Sequence, residues 1–252
     1  MGDIHGGYKA LMQCLERSKF DYEKDTLIQL GDVVDGWSEV FEVVEELNKI
    51  KNLITIRGNH DQWFVDWLNK GKHPQLWDQG GYGTLSSYCR KLDKELQEVA
   101  GGYISNLLPL DIPSSHIRFF KKQNFYYILD DNLFVHGGFN RHYDIDDLTF
   151  NSSNILMWDR GLWQSALGFK SMMKGVKENF QFKNVNKFKE IFIGHSSTTM
   201  WGENTPMNAA NIWNLDTGGG WGGKLTIMDI NTKEYWQSDN VKELYKDEKG
   251  RS

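Results

Sequence analysis

Leu53-Ile54-Thr55-Ile56-Arg57-Gly58-Asn59-His60-Asp61 passes from a short apolar run straight into a polar turn. Four residues rich in β-branched side chains and bounded by charge read as a buried strand. Beyond the turn, Phe64, Trp67 and Leu68 fall at helical spacing. The polar pentapeptide therefore sits where a strand gives way to a helix, with Gly58 expected to let the backbone bend sharply. An Asn beside a His sets a neutral oxygen ligand next to an imidazole, a pairing that suits a metal site. One such turn equally well makes an ordinary hydrogen-bonded loop.

Working outward, the pattern repeats. Thr26 to Leu30 reads as a strand and runs directly into Gly31-Asp32-Val33-Val34-Asp35-Gly36. Between the two strands, Val40, Val43, Val44, Leu47 and Ile50 mark a helix over 39–50, and Leu11, Met12, Leu15 and Phe20 mark another over 8–20. That first helix follows Gly2-Asp3-Ile4-His5-Gly6-Gly7, whose Asp and His can project from one tight turn. Recurring strand-turn-helix units define an α/β fold, with its chemistry at the C-terminal ends of the strands.

Residues 70–115 read as a helical insertion, with a loop over 79–84 and a helix over 85–108 interrupted at Gly101-Gly102. Ser114-Ser115 starts a helix reaching Lys122. A hairpin over 125–129 and 133–135 delivers His136-Gly137-Gly138. Leu156-Met157-Trp158-Asp159-Arg160 follows a polar loop, 169–189 reads as mixed helix and loop, and Glu190 to Ile193 is a strand ending at Gly194-His195. The runs 211–215, 224–230 and 233–238 read as three antiparallel strands. One domain is expected over 1–238, and the charged run 239–252 reads as a solvated terminus.

Composition sets limits. At 252 residues, one sizeable core is expected. A net charge of −5 argues against a nucleic-acid-binding surface. No apolar run approaches the roughly 18 residues of a membrane span. Two isolated cysteines, Cys14 and Cys89, fit a reduced, cytoplasmic setting. Oligomeric state leaves no mark on the sequence.

Of seven histidines, His5, His60, His136 and His195 abut a glycine or the Gly58-Asn59 pair, whereas His73, His116 and His142 sit in polar stretches. With Asp3, Asp32 and Asn59 they form a nitrogen and oxygen donor set without thiolate. Such a set suits Mn²⁺, Fe or Zn²⁺.

The ordered series Gly-Asp-Ile-His-Gly, Gly-Asp-Val-Val-Asp-Gly, Arg-Gly-Asn-His-Asp, His-Gly-Gly and Gly-His resembles the calcineurin-like metallophosphoesterases. Their phosphoprotein phosphatase branch, with its small bacterial and bacteriophage Ser/Thr phosphatases and symmetrical diadenosine tetraphosphatases, lies nearest. The likeness spans Gly2 to about residue 230. It implies a β-sandwich of two mixed sheets flanked by helices. It further implies two divalent cations, with Mn²⁺ favoured. Asp3 and His5 would hold the first, Asn59, His136 and His195 the second, and Asp32 both. A hydroxide between the cations would attack phosphorus. His60, backed by Asp35, would protonate the leaving group, the carboxylate raising the imidazole pKa. Arg160, with Asn59, would hold the substrate phosphate.

Three departures stand out. Relatives carry arginine where Gly36 stands, so one phosphate contact is missing, and a Gly36→Arg change is expected to improve phosphate-ester binding. Asp61 replaces a usual glutamate, a mild change if its carboxylate supports the turn. Relatives place an apolar strand before Gly2, where this sequence has Met1 alone, so either an upstream segment or a rearranged sheet is expected. The expected function is a Ser/Thr protein phosphatase-like enzyme acting on phosphoprotein. The alternatives are hydrolysis of dinucleoside polyphosphates or other nucleotides, and a non-catalytic metal-binding interaction module. Trp37, Trp77, Trp201 and Trp221 lie beside loops and serve either packing or nucleobase stacking.

Overall fold

The computed structural model describes residues 1–72, 77, 79–99, 102–176, 182 and 188–251. In chain order the elements are α1 (Tyr8–Arg17), β1 (Thr26–Gln29), α2 (Val40–Leu47), β2 (Asn52–Thr55), α3 (Asn59–Lys70), α4 (Gly81–Leu92), β3 (Leu96–Val99), β4 (Gly102–Ser105), α5 (Ser114–Lys122), β5 (Tyr126–Leu129) and β6 (Asn132–Val135). Next in the chain come α6 (Ser153–Trp158), α7 (Gly161–Met172), β7 (Glu190–Ile193), β8 (Met207–Ala209), β9 (Ile212–Asn214), β10 (Thr226–Met228), β11 (Tyr235–Gln237) and α8 (Val241–Leu244).

Mixed α/β architecture arises as the periodicities imply. Helix α1 buries Ala10, Leu11, Cys14 and Leu15, and α2 buries Val40, Val43, Val44 and Leu47. Strands β1 and β2 pair in parallel, with Leu27 opposite Leu53 and Ile28 opposite Ile54. Sheet β5-β6-β7-β9-β8 is parallel at its centre and antiparallel at both edges. Met1 and Gly2 tie the β1–β2 pair to the β10–β11 pair. The Met1 amine donates to Ile28 O at 2.8 Å, Leu30 N to Met1 O at 3.0 Å, and Gly2 N to Thr226 O at 3.0 Å. Burial lowers that amine's pKa to about 5. A shared cluster of Ile28, Leu30, Ile56, Phe134, Phe192, Leu215 and Met228 holds this array against the five-stranded sheet, the Phe134 and Phe192 rings stacked at 5.0 Å.

Four expectations need correction. The 79–84 segment is not all loop, because α4 begins at Gly81, and the helix expected to reach 108 ends at Leu92. Asp93 there takes a left-handed conformation (φ 53°), and the chain continues as the antiparallel hairpin β3–β4. The three C-terminal strands are not one antiparallel set. Strand β9 runs parallel beside β7 because Ile212 buries with Ile191 and Ile193, and β8 adds an unforeseen edge. Finally, the run from 239 is not simply solvated. Val241 and Tyr245 are buried, Tyr245 stacks on Trp37 at 5.2 Å, and Glu248 accepts from Ser38 N at 2.9 Å and Ser38 Oγ at 2.7 Å. Asp239 is held by Arg17 and Gln13 of α1. The mixed reading of 169–189 is met by α7 as far as Met172; 177–181 and 183–187, like His73, lie outside the described residues. Among the described residues no helix is long and apolar enough to cross a membrane.

Candidate dinuclear metal site

The turn before α1, the turns after β1 and β2, and the ends of β6 and β7 converge on one buried cluster. Gly58 is ordinary extended backbone (φ −89°, ψ 171°), so conformational freedom is not its reason. Space is. A Cβ there would lie 2.0 Å from Asp32 Oδ1 and 2.4 Å from Asp32 N. Glycine lets the third turn press onto the second. Helix α3 then begins at Asn59 itself, so Asn59 and His60 project from its first turn. Asp61, fully buried, accepts from Gly58 N (3.1 Å), Asp32 N (3.0 Å), Val33 N (2.9 Å) and Gln123 Nε2 (2.8 Å), stitching both turns together. Arg57 points away, donating to Phe120 O and Gln62.

Six buried residues face one another. Asp32 Oδ2 lies 3.7 Å from His5 Nε2 and 3.3 Å from His136 Nε2, which is also 3.2 Å from Asn59 Oδ1. The far nitrogens are fixed by backbone carbonyls: His5 Nδ1 by Val34 O and Asp35 O, His136 Nδ1 by Leu30 O. That leaves each Nε2 as the inward donor. Asp3 Oδ2 accepts from His195 N at 3.0 Å, while Asp3 Oδ1 and His195 Nε2 are buried without a partner. Two metal-capable groups result, Asp3-His5-Asp32 and Asp32-His136-His195, each with donor atoms within 4.8 Å of one another and sharing Asp32. Orphaned donors around a shared carboxylate fit two cations.

Charge in the cluster is unbalanced without them. Burial, together with Asp216, raises the Asp3 pKa well above the carboxylate range. Burial opposes ionisation of Asp32 too, yet His136 and His60 hold its pKa well below that range. His136 rises to about 9 against its own burial because Asp32 lies beside it, whereas burial depresses His5 and His195. Backbone geometry is unusual as well: His5, Asp32, Asp35 and His195 all have positive φ, at 49°, 55°, 65° and 62°.

His60 stands beside the cluster. Its Nδ1 is 2.8 Å from Asp35 Oδ2, and its Nε2 is buried and unpartnered. Asp35 Oδ1 accepts from Trp77 Nε1 at 2.7 Å and Thr84 Oγ1 at 2.6 Å. The expected rise in His60 pKa does not occur: burial pushes it down to about 3 and pushes Asp35 up to about 8. Low dielectric penalises the separated charges, so the pair is neutral as a unit and shares one proton. Arg160, half-buried, donates from Nη1 to His195 O (2.9 Å) and Ser196 Oγ (3.0 Å).

Several contributors escaped the sequence reading. Asp216 is buried against Asp3, and its only advance sign was the glycine-rich Asp216-Thr217-Gly218-Gly219-Gly220 run. Thr84 and the Trp77 indole reach Asp35 from the insertion. Trp37 and Trp77 are fully buried, so of the four tryptophans considered for stacking only Trp201 and Trp221 are exposed.

The sequence pattern of calcineurin-like phosphoesterases matches residues 1–211, and the chain belongs to that family. It is a phosphoesterase. Its relatives include the symmetrical bis(5'-nucleosyl)-tetraphosphatase of Coxiella burnetii, 24% identical over 262 residues that cover 93% of this chain and 88% of that one. Serine/threonine-protein phosphatase 1 of Salmonella typhimurium is 23% identical over 234 residues, covering 91% and 90%. Among solved structures, a putative diadenosine tetraphosphatase superposes with a TM-score of 0.58 at 16% identity, over 94% of this chain and 90% of that one. At that identity the superposition speaks for the fold alone.

Proposed function

We propose that the chain hydrolyses phosphomonoesters at a dinuclear centre, as a Ser/Thr protein phosphatase-like enzyme. Asp3 and His5 would hold one divalent cation, Asn59, His136 and His195 the other, and Asp32 both. Mn²⁺, Fe and Zn²⁺ all suit this nitrogen and oxygen set, with Mn²⁺ the first to try. Bound there, two cations would supply Lewis acidity and an activated water. The observation that carries the reading is the sharing of Asp32 between two buried donor groups.

The chain's own residues do the rest. Arg160 offers its guanidinium to phosphate oxygens, with Asn59 beside it. The His60–Asp35 pair holds one transferable proton at no net charge. As the leaving oxygen draws a proton from Nε2, the proton shared with Asp35 settles on Nδ1, leaving a carboxylate stabilised by the Trp77 and Thr84 donors.

A second reading, hydrolysis of dinucleoside polyphosphates, draws support from the tetraphosphatase relatives. A non-catalytic binding module draws none from this intact donor set. The test is a substrate panel of p-nitrophenyl phosphate, a phosphoserine peptide and diadenosine tetraphosphate, each with Mn²⁺. Release of inorganic phosphate from the first two is expected. Cleavage confined to diadenosine tetraphosphate would replace the first reading with the second, and no turnover of any would sink both.

A further inference from the structure

The C-terminal segment brings a second guanidinium to the cluster. Gly250 (φ 66°) passes close over Trp37 and Gly220: a Cβ there would lie 2.9 Å from both Trp37 Cζ2 and Gly220 O. Arg251 N then donates to Gly220 O at 3.1 Å. The side chain runs through a slot between two glycines. A Cβ on Gly36 would sit 3.3 Å from Arg251 Cγ, and one on Gly220 would sit 2.7 Å from Arg251 Cδ. Beyond the slot the guanidinium lies over the Trp221 ring, 4.6 Å from its centroid.

The guanidinium's remaining contacts are poor. Nη1 is 3.4 Å from His5 Nε2, at the far limit of a hydrogen bond, and Nε is buried without a partner. Among the described residues, neither Arg251 nor Arg160 has a carboxylate within ion-pair distance. Burial lowers the Arg160 pKa most, the Asp216 carboxylate raises it, and Arg251 is close enough to lower it again. Two half-buried cations thus face one cluster with no carboxylate in direct contact, and an anion between them would give both a close partner.

Position 36 cannot supply that second cation. Gly36 has φ 122°, and its Cβ would press on His5 O at 3.1 Å, His5 Cβ at 3.2 Å and the Arg251 stem. Gly36→Arg would therefore strain the turn and displace Arg251 rather than improve phosphate-ester binding.

We propose that Arg251 is a second phosphate-binding residue of the site, gripping non-bridging oxygens of the substrate together with Arg160, from the far end of the sequence. The proposal rests on the phosphoesterase reading above. With His5 Nε2 engaged by a bound cation, the weak 3.4 Å contact there would be given up and Arg251 Nη1 would be free for the anion.

The test is titration of Mn²⁺-loaded full-length protein with inorganic phosphate by calorimetry, beside steady-state hydrolysis of p-nitrophenyl phosphate. Arg251→Ala is expected to weaken phosphate binding about tenfold and raise KM, with both Mn²⁺ retained by elemental analysis. Arg251→Lys should recover part of the loss, since it restores charge without the planar fork. Trp221→Ala, which removes the ring beneath the guanidinium, should give a smaller shift in the same direction. Unchanged phosphate affinity in Arg251→Ala overturns the proposal, as does tighter Mn²⁺ binding with unchanged phosphate affinity, which would make Arg251 a competitor of the cation. Phosphate binding needs no turnover. An inactive wild type would therefore sink the phosphoesterase reading while the calorimetry still decided the role of Arg251.

Discussion

Adjacent side chains do different work here, and single residues separate them. Asn59 faces His136, so Asn59→Ala is expected to halve bound Mn²⁺, read by elemental analysis. The His60 imidazole hydrogen-bonds Asp35, and the bond to Asp32 Oδ1 comes from the His60 backbone N, which a substitution keeps, so His60→Ala should retain both ions and lower kcat by about 10²–10⁴-fold. His116, placed in a polar stretch by sequence, is in fact fully buried, with Nε2 2.6 Å from Glu45 and Nδ1 2.8 Å from the Tyr88 hydroxyl. Burial lowers its pKa below 6.5, even with Glu45 beside it. An unfolded chain therefore takes up a proton near pH 6.5 that the fold resists, and stability present above that pH is lost as pH falls through it. Urea unfolding between about pH 8 and about pH 5 should show a steeper acid loss for wild type than for His116→Gln. Asp3, His5, Asp32, Asn59, His60, His136 and His195 were legible because each falls in a short glycine-bearing motif, all but Asp3 and His5 at the end of a strand. Asp216, Thr84 and Arg251 were not, because their roles come from packing between segments far apart in the chain.

At the scale of elements, amphipathic spacing found α1, α2 and the strands that abut them, since each buries one continuous face. It failed in the insertion. Strands β3 and β4 carry mostly exposed or half-exposed side chains, so no buried alternation announced them. It failed again at α8, a single turn too short to show a period, which docks largely through Tyr245 at its C-terminal end. Tyr245 lies on Trp37, and its hydroxyl meets Glu39 and accepts from Lys9 N at 2.9 Å. Tyr245→Ala should cost about 3–5 kcal/mol in urea unfolding, the range for emptying a buried aromatic site. A change below about 1 kcal/mol would mean that this segment does not dock.

For the molecule as a whole, the cluster joins both halves: β1, β2 and α3 on one side, β6 and β7 on the other. Cations bound there stabilise the folded state over the unfolded one. Chelation should lower the melting temperature, and Mn²⁺ should restore it in a concentration-dependent way, each occupied site adding about 2.7 kcal/mol of stability at a hundredfold excess over Kd. A melting curve indifferent to both would remove the cations from the fold's energetics.

The four left-handed residues carry a consequence for motion. Each non-glycine residue held there costs about 1–2 kcal/mol, and His5, Asp32, Asp35 and His195 all flank the cluster. Ligands that bind these side chains oppose relaxation of their peptides. Hydrogen–deuterium exchange should therefore find amides of the turns around His5, Asp32 and His195 opening faster after chelation, while the interior of α2 stays protected. Where the chain is most tightly bent, the ions would act as its brake on breathing.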